Sequence, residues 1–272
     1  MGIEYPESTV ISGQMRQVLP ERTITGVAIR DANAVVFRWG FSNLNQIDLR
    51  GSQINHIRQF GDTIFVELGP YALVFSDMIG KILYHRPTEK RPPKAAITLE
   101  LDDGAAISYN PSLYGYCKAL TPAETAAFAP ATWVQPLDDA FTADYLGRAF
   151  AEPERKIAKQ MNVFNVTYKA AGVGNGYWQE ILFLSGVRPE RKARDITPEE
   201  IGKLHANTRQ VMRSAIEKGG SAEEKDFFNA SGGYVRRMGG RLKGQPCSVC
   251  GETIQGKHIM GANVYFCPHC QS

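Results

Sequence analysis

Cys247, Cys250, Cys267 and Cys270 form two Cys-x2-Cys pairs separated by sixteen residues, and no other feature restricts the fold of this chain as strongly. Each pair sets two thiolates on one side of a tight knuckle. Gly251 and Pro268 suit such knuckles, and Ile254, Ile259, Val264, Tyr265 and Phe266 supply the strands of a connecting hairpin. A unit this small has no core of its own, so its folding energy comes from the metal. Four cysteines complete a tetrahedron and leave no open position, which predicts one structural Zn2+ ion rather than a catalytic one. A redox dithiol is the rival reading. His258 and His269 lie nearby and read as bystanders.

The rest of the chain has room for one or two domains. Its 43% hydrophobic and 22% charged residues are those of an ordinary globular protein. It lacks an apolar run of about eighteen residues, and its first seven residues are too polar for a signal peptide. The expectation is a cytosolic protein of bacterial type, nucleoid-associated and monomeric. The net charge of +3 says little, but residues 188–194 and 236–243 are locally basic, the latter including Arg236 and Lys243. Such a run is either a solvated face or an anion-binding strip. Cys117, outside the two pairs, reads as a buried small hydrophobe.

The patterning changes along the chain. Apolar positions Val10, Ile11, Met15, Val18 and Leu19 have helical spacing between Pro6 and Pro20. Eight short stretches rich in β-branched and aromatic residues follow, at 23–30, 34–39, 53–60, 62–68, 71–77, 81–86, 95–104 and 105–110. Strands at this spacing predict an antiparallel sandwich or barrel. Residues 121–139 are polar and rich in proline and alanine, and read as a linker. Beyond them, 141–152, 154–164, 176–186 and 197–220 carry the helical period. The last opens on a capping box, Thr197 with Glu200, and closes on Gly219-Gly220. The fold class is therefore α+β and multidomain: an N-terminal β-sandwich with a flanking helix over 1–135, a helical domain over 136–243 and a zinc-finger hairpin over 244–272.

Between two helical stretches stands Gly172-Val173-Gly174-Asn175-Gly176. As a spacer it is a flexible turn. Without a preceding strand it is not a dinucleotide fingerprint. Its functional reading is a helix–two-turn–helix, in which glycines admit a phosphate to the backbone, helix N-terminal amides face it and Asn175 donates a hydrogen bond.

The stretch "GVGNGYWQEILFLSGVRPERK", the closing "GQPCSVCGETI" with "YFCPHCQ", and the opening "IEYPE" together resemble the formamidopyrimidine-DNA glycosylase/endonuclease VIII family. The resemblance spans the chain. It implies a two-domain clamp on double-stranded, damaged DNA, with the zinc hairpin against the duplex and a base flipped out.

The resemblance also implies roles, position by position. Family members attack the sugar with an N-terminal proline amine and move protons with the following glutamate. The glutamate matches Glu4 and the later pair matches Pro6-Glu7, but the proline position holds Ile3 behind Met1-Gly2. A mid-chain amide nitrogen is no nucleophile, and Gly2 reads as a possible cloning remnant. The β-domain lysine falls at Asp62, the two duplex-opening arginines at Ser112 and Leu113, and the finger arginine at Ala262, with Asn263 beside it. Lys159, Asn175 and Glu180 match the family; Met78 matches its void-filling methionine, and Tyr114 can serve as a wedge.

Glu4 is thus the candidate catalytic residue, with a helix-start residue as the bland alternative. Lys159, Asn175, Met78, Tyr114, Arg236, Lys243 and Asn263 are the candidate DNA contacts. Two functions compete: a monofunctional base-excision glycosylase assisted by Glu4 without Schiff-base lyase chemistry, and an inactive DNA-binding module derived from a glycosylase. RNA binding is a third and more remote reading.

Overall fold

In the computed structural model of the chain, residues 2–31, 35–38, 40–76, 79–91, 95–112, 115–126, 133–151, 170–259 and 261–272 are described. They divide into two compact units, one of residues 1–131 and 215–234, the other of 132–214 and 235–272.

The first unit begins with helix α1 (Tyr5–Val18), which has Pro6 in its first turn and buries Ile11 and Met15. Two four-stranded antiparallel sheets follow. One has the order β1 (Ile24–Ile29), β6 (Ile97–Leu101), β7 (Ala106–Pro111), β5 (Gly80–His85); the other runs β2 (His56–Phe60), β3 (Thr63–Glu67), β4 (Ala72–Ser76), β8 (Tyr116–Leu120). Alternation explains the packing. Ile97, Leu99 and Leu101 of β6 point into one core with Ile64 and Val66 of β3, Leu73 and Phe75 of β4, and Ile11 and Met15 of α1. That is a sandwich. Strands β3 and β4 are buried on their other face as well, where Phe65, Val74 and Leu120 cluster. The Arg58 guanidinium lies 3.7 Å from the centre of the Phe65 ring and pairs with Glu67 at 2.7 Å. Cys117 is buried in the sandwich core, as its setting predicts.

Three details depart from the sequence reading. Val35–Arg38 is a short helix, α2, where a β-branched run suggested a strand. Tyr116–Leu120 is a strand that the sequence reading leaves out, its pattern blunted by Lys118. The linker holds a helical turn, α3 (Pro122–Thr125), capped by Thr121 and Glu124.

In the second unit, α4 (Ala143–Ala151), α5 (Asn175–Leu184) and α6 (Pro198–Glu217, as far as Ser214) stand where the helical period places them. Thr197 and Glu200 exchange backbone-to-side-chain bonds at 2.8 and 3.3 Å, so the capping box is formed. The expected helix at 154–164 lies outside the described residues. The hairpin β9 (Gln255–Ile259) and β10 (Ala262–Phe266) packs on α5 through Phe183, Met238, Ile254 and the buried cysteines. No helix among the described residues is long and apolar enough to cross a membrane.

Candidate functional site

The four cysteines converge as their spacing predicts. Their sulfurs all lie within 4.8 Å of one another, with Cys247 Sγ to Cys270 Sγ at 3.9 Å and Cys250 Sγ to Cys267 Sγ at 3.5 Å. Zinc–sulfur bonds of about 2.3 Å in a tetrahedron require sulfurs about 3.8 Å apart. The site fits the ion. The N–H of Val249 approaches Cys247 Sγ at 3.5 Å and that of Cys270 approaches Cys267 Sγ at 3.4 Å, contacts that favour thiolates. Zn2+ here is structural and closes the hairpin onto α5.

At the other end of the chain, Glu4 is the N-cap residue of α1 and is 8% exposed. Its own N–H donates to Glu7 Oε2 at 3.2 Å. Ile3, immediately before it, is 4% exposed and belongs to the sandwich core. The position that carries the nucleophile in the resembling family is here a packing residue. Asp62 sits at the tip of the β2–β3 hairpin, and the neighbouring Gly61 carbonyl accepts a bond from Ser8 Oγ of α1 at 2.6 Å. The hairpin tip is thus tied to the first turn after Glu4, with a carboxylate where the resemblance leads one to expect a cation.

The segment after α6 is anchored along α1. Glu7 Oε1 accepts the Ser221 N–H at 2.8 Å. Gln14 donates to Asp226 Oδ2 at 2.7 Å and accepts the Phe227 N–H at 2.9 Å, while Asp226 Oδ1 accepts the N–H groups of Phe228 and Ala230. Gly232 is required by close approach, since a Cβ there would lie 2.2 Å from the Gly220 carbonyl oxygen. Sequence reading finds Glu7 only as a match and misses Gln14. A glutamine facing inward on a half-apolar helix is the available signal.

In the second unit, Asn175 is exposed at the start of α5, after a turn in which Gly172 has φ of +75°. Its side-chain amide has no hydrogen-bond partner among the described residues. The Arg236 guanidinium lies 5.9 Å from the Tyr177 ring centre. Lys243 is exposed, its stem running over Gly256 of the hairpin. Asn263 is exposed on β10 and meets His258 across the strands at 3.3 Å. Ala262 starts β10. Glu180 is buried and accepts the N–H groups of Arg237 and Met238 at 2.7 and 3.0 Å. Lys159, Met78 and Tyr114 lie outside the described residues.

Comparison with known proteins places these parts in one family. The formamidopyrimidine-DNA glycosylase N-terminal domain matches residues 3–112, the H2TH domain of the same glycosylases matches 134–226, and a zinc finger found in FPG and IleRS matches 244–272. The formamidopyrimidine-DNA glycosylase of Legionella pneumophila is 30% identical over 278 residues, covering 98% of each chain. That of Desulfitobacterium hafniense is 29% identical over 281 residues, covering 98% of this chain and 99% of its own. Among solved structures, the MutM (Fpg) protein of Thermus thermophilus superposes with a TM-score of 0.81 at 24% identity, covering 98% of both chains. A Lactococcus lactis Fpg, solved in complex with DNA containing an abasic site, gives 0.81 at 22% identity over 99% of both. With three matching domains in order and a full-length relative at 30% identity, the chain belongs to the formamidopyrimidine-DNA glycosylase family of DNA-repair proteins.

Proposed function

We propose that this protein binds damaged duplex DNA and releases a damaged base by hydrolysis, with Glu4 as the proton-handling carboxylate and no covalent Schiff-base step. The observation that carries the reading is the pair at the start of α1: a buried Glu4 preceded by Ile3, whose side chain is committed to the core. A carboxylate at this place can activate water or stabilise an oxocarbenium-like sugar. General acid–base assistance contributes roughly 10²–10⁴-fold, sufficient for a base whose glycosidic bond is already labile. Asn175, Arg236, Lys243 and Asn263, with Lys159, Met78 and Tyr114, are the proposed DNA contacts. The Lactococcus relative's DNA complex supports the choice of duplex DNA as partner.

The test is base release from oligonucleotides bearing a panel of lesions. Release by the wild-type protein, lost in Glu4→Gln, supports the glycosylase. Tight lesion binding with no release supports the second reading, a DNA-binding module without turnover. Asp62 and Ala262 favour that second reading, because both stand where family members hold phosphates with cations.

A further inference from the structure

Gln179 lies one turn into α5, buried, and uses both ends of its amide. Nε2 donates to the Asn175 carbonyl at 3.1 Å, and Oε1 accepts the N–H of Tyr265 on β10 at 2.9 Å. Asn175 opens α5 after the glycine turn, and Tyr265 follows Asn263 by two residues on the zinc hairpin. The next side chain, Glu180, holds the Arg237 and Met238 amides. Two adjacent residues of α5, the helix that Asn175 opens, therefore bind the hairpin and the basic segment to one frame.

A polyanion with fixed phosphate spacing is gripped best by donors already in register, because ordering them on binding costs entropy. We propose that Gln179 is a positioning residue that sets Asn175 against the zinc hairpin so that both meet the same DNA backbone. This rests on the DNA-binding reading above and deepens it.

The experiment measures dissociation constants of the zinc-loaded, full-length protein for a duplex with an abasic-site analogue, across a range of salt. Hydrogen exchange at Tyr265 and urea unfolding are measured in parallel. In Gln179→Met, Tyr265 loses protection and affinity falls roughly tenfold. In Gln179→Glu, which keeps an acceptor for the Tyr265 N–H, protection is retained and affinity stays above that of the Met variant. A Met variant that loses Tyr265 protection but keeps its affinity overturns the proposal. So does a Glu variant that keeps protection yet binds as weakly as the Met variant. A wild-type protein without salt-dependent binding sinks the DNA-binding reading itself, an outcome separate from either variant result.

Discussion

Glu7 and Ser221, 214 residues apart, are joined by a 2.8 Å hydrogen bond from the Ser221 N–H to the Glu7 carboxylate. The other Glu7 oxygen takes the N–H of Glu4 at 3.2 Å. One buried side chain thereby fixes both the helix start that presents Glu4 and the segment following α6. Glu7→Ala leaves two amides without that acceptor and is expected to destabilise the protein by about 2–4 kcal/mol. Urea unfolding with an unchanged slope checks this, and a midpoint equal to wild type contradicts it.

The zinc hairpin shares its core with α5 through Phe183 and Met238. Chelation of the metal, or Cys250→Ser, is therefore expected to loosen the α5 frame as well as the hairpin. Far-ultraviolet circular dichroism and hydrogen exchange of α5 report this. Exchange confined to residues 244–272 would show the hairpin to be an independent appendix.

His85 is buried and bonds Ser108 Oγ through Nε2 at 2.7 Å. Burial lowers its pKa below the ordinary 6.5, with Arg91 adding to the fall and Glu89 opposing it. The unfolded chain takes up a proton that the folded chain resists, so this residue lowers stability as pH falls below about 6.5 and has no effect above it. Unfolding midpoints at pH 7.5 and 5.5, compared with those of His85→Gln, isolate that contribution; equal pH dependence in both proteins rules it out.

Phosphate contacts give binding its salt dependence. Arg236→Ala and Lys243→Ala are each expected to weaken duplex binding for all sequences alike and to reduce the salt slope by about one. Asp62→Lys and Ala262→Arg place cations where the family resemblance leads one to expect them and are expected to steepen the slope by about one each. Titrations at several salt concentrations decide; unchanged slopes in all four variants remove these residues from the interface.

Much of this is written locally in the sequence. The cysteine spacing gives the metal site because a tetrahedral ion imposes its own geometry on any chain that supplies four thiolates. The α6 capping box is equally local, and Thr121-Pro122 with Glu124 carries the same signature for α3, though it sits in a stretch whose composition resembles a linker. Val35–Arg38 misleads because β-branched residues prefer strands only where a neighbouring strand receives them. The links from Glu7 to Ser221 and from Gln179 to Tyr265 join residues 214 and 86 positions apart. No periodicity encodes such partners. The readable sign is a polar side chain inside an apolar stretch, as with Gln179-Glu180 between Trp178 and Ile181.

Base release is proposed here to proceed without covalent attachment to the protein. It is tested most directly by incubating the protein with lesion-bearing and abasic-site duplexes in the presence of borohydride, and resolving protein–DNA adducts alongside released base. Released base, no trapped adduct, no strand cleavage by β-elimination and loss of release in Glu4→Gln are the expected results. A borohydride-trapped adduct would show that an amine of this chain attacks the sugar, and would contradict a non-covalent mechanism.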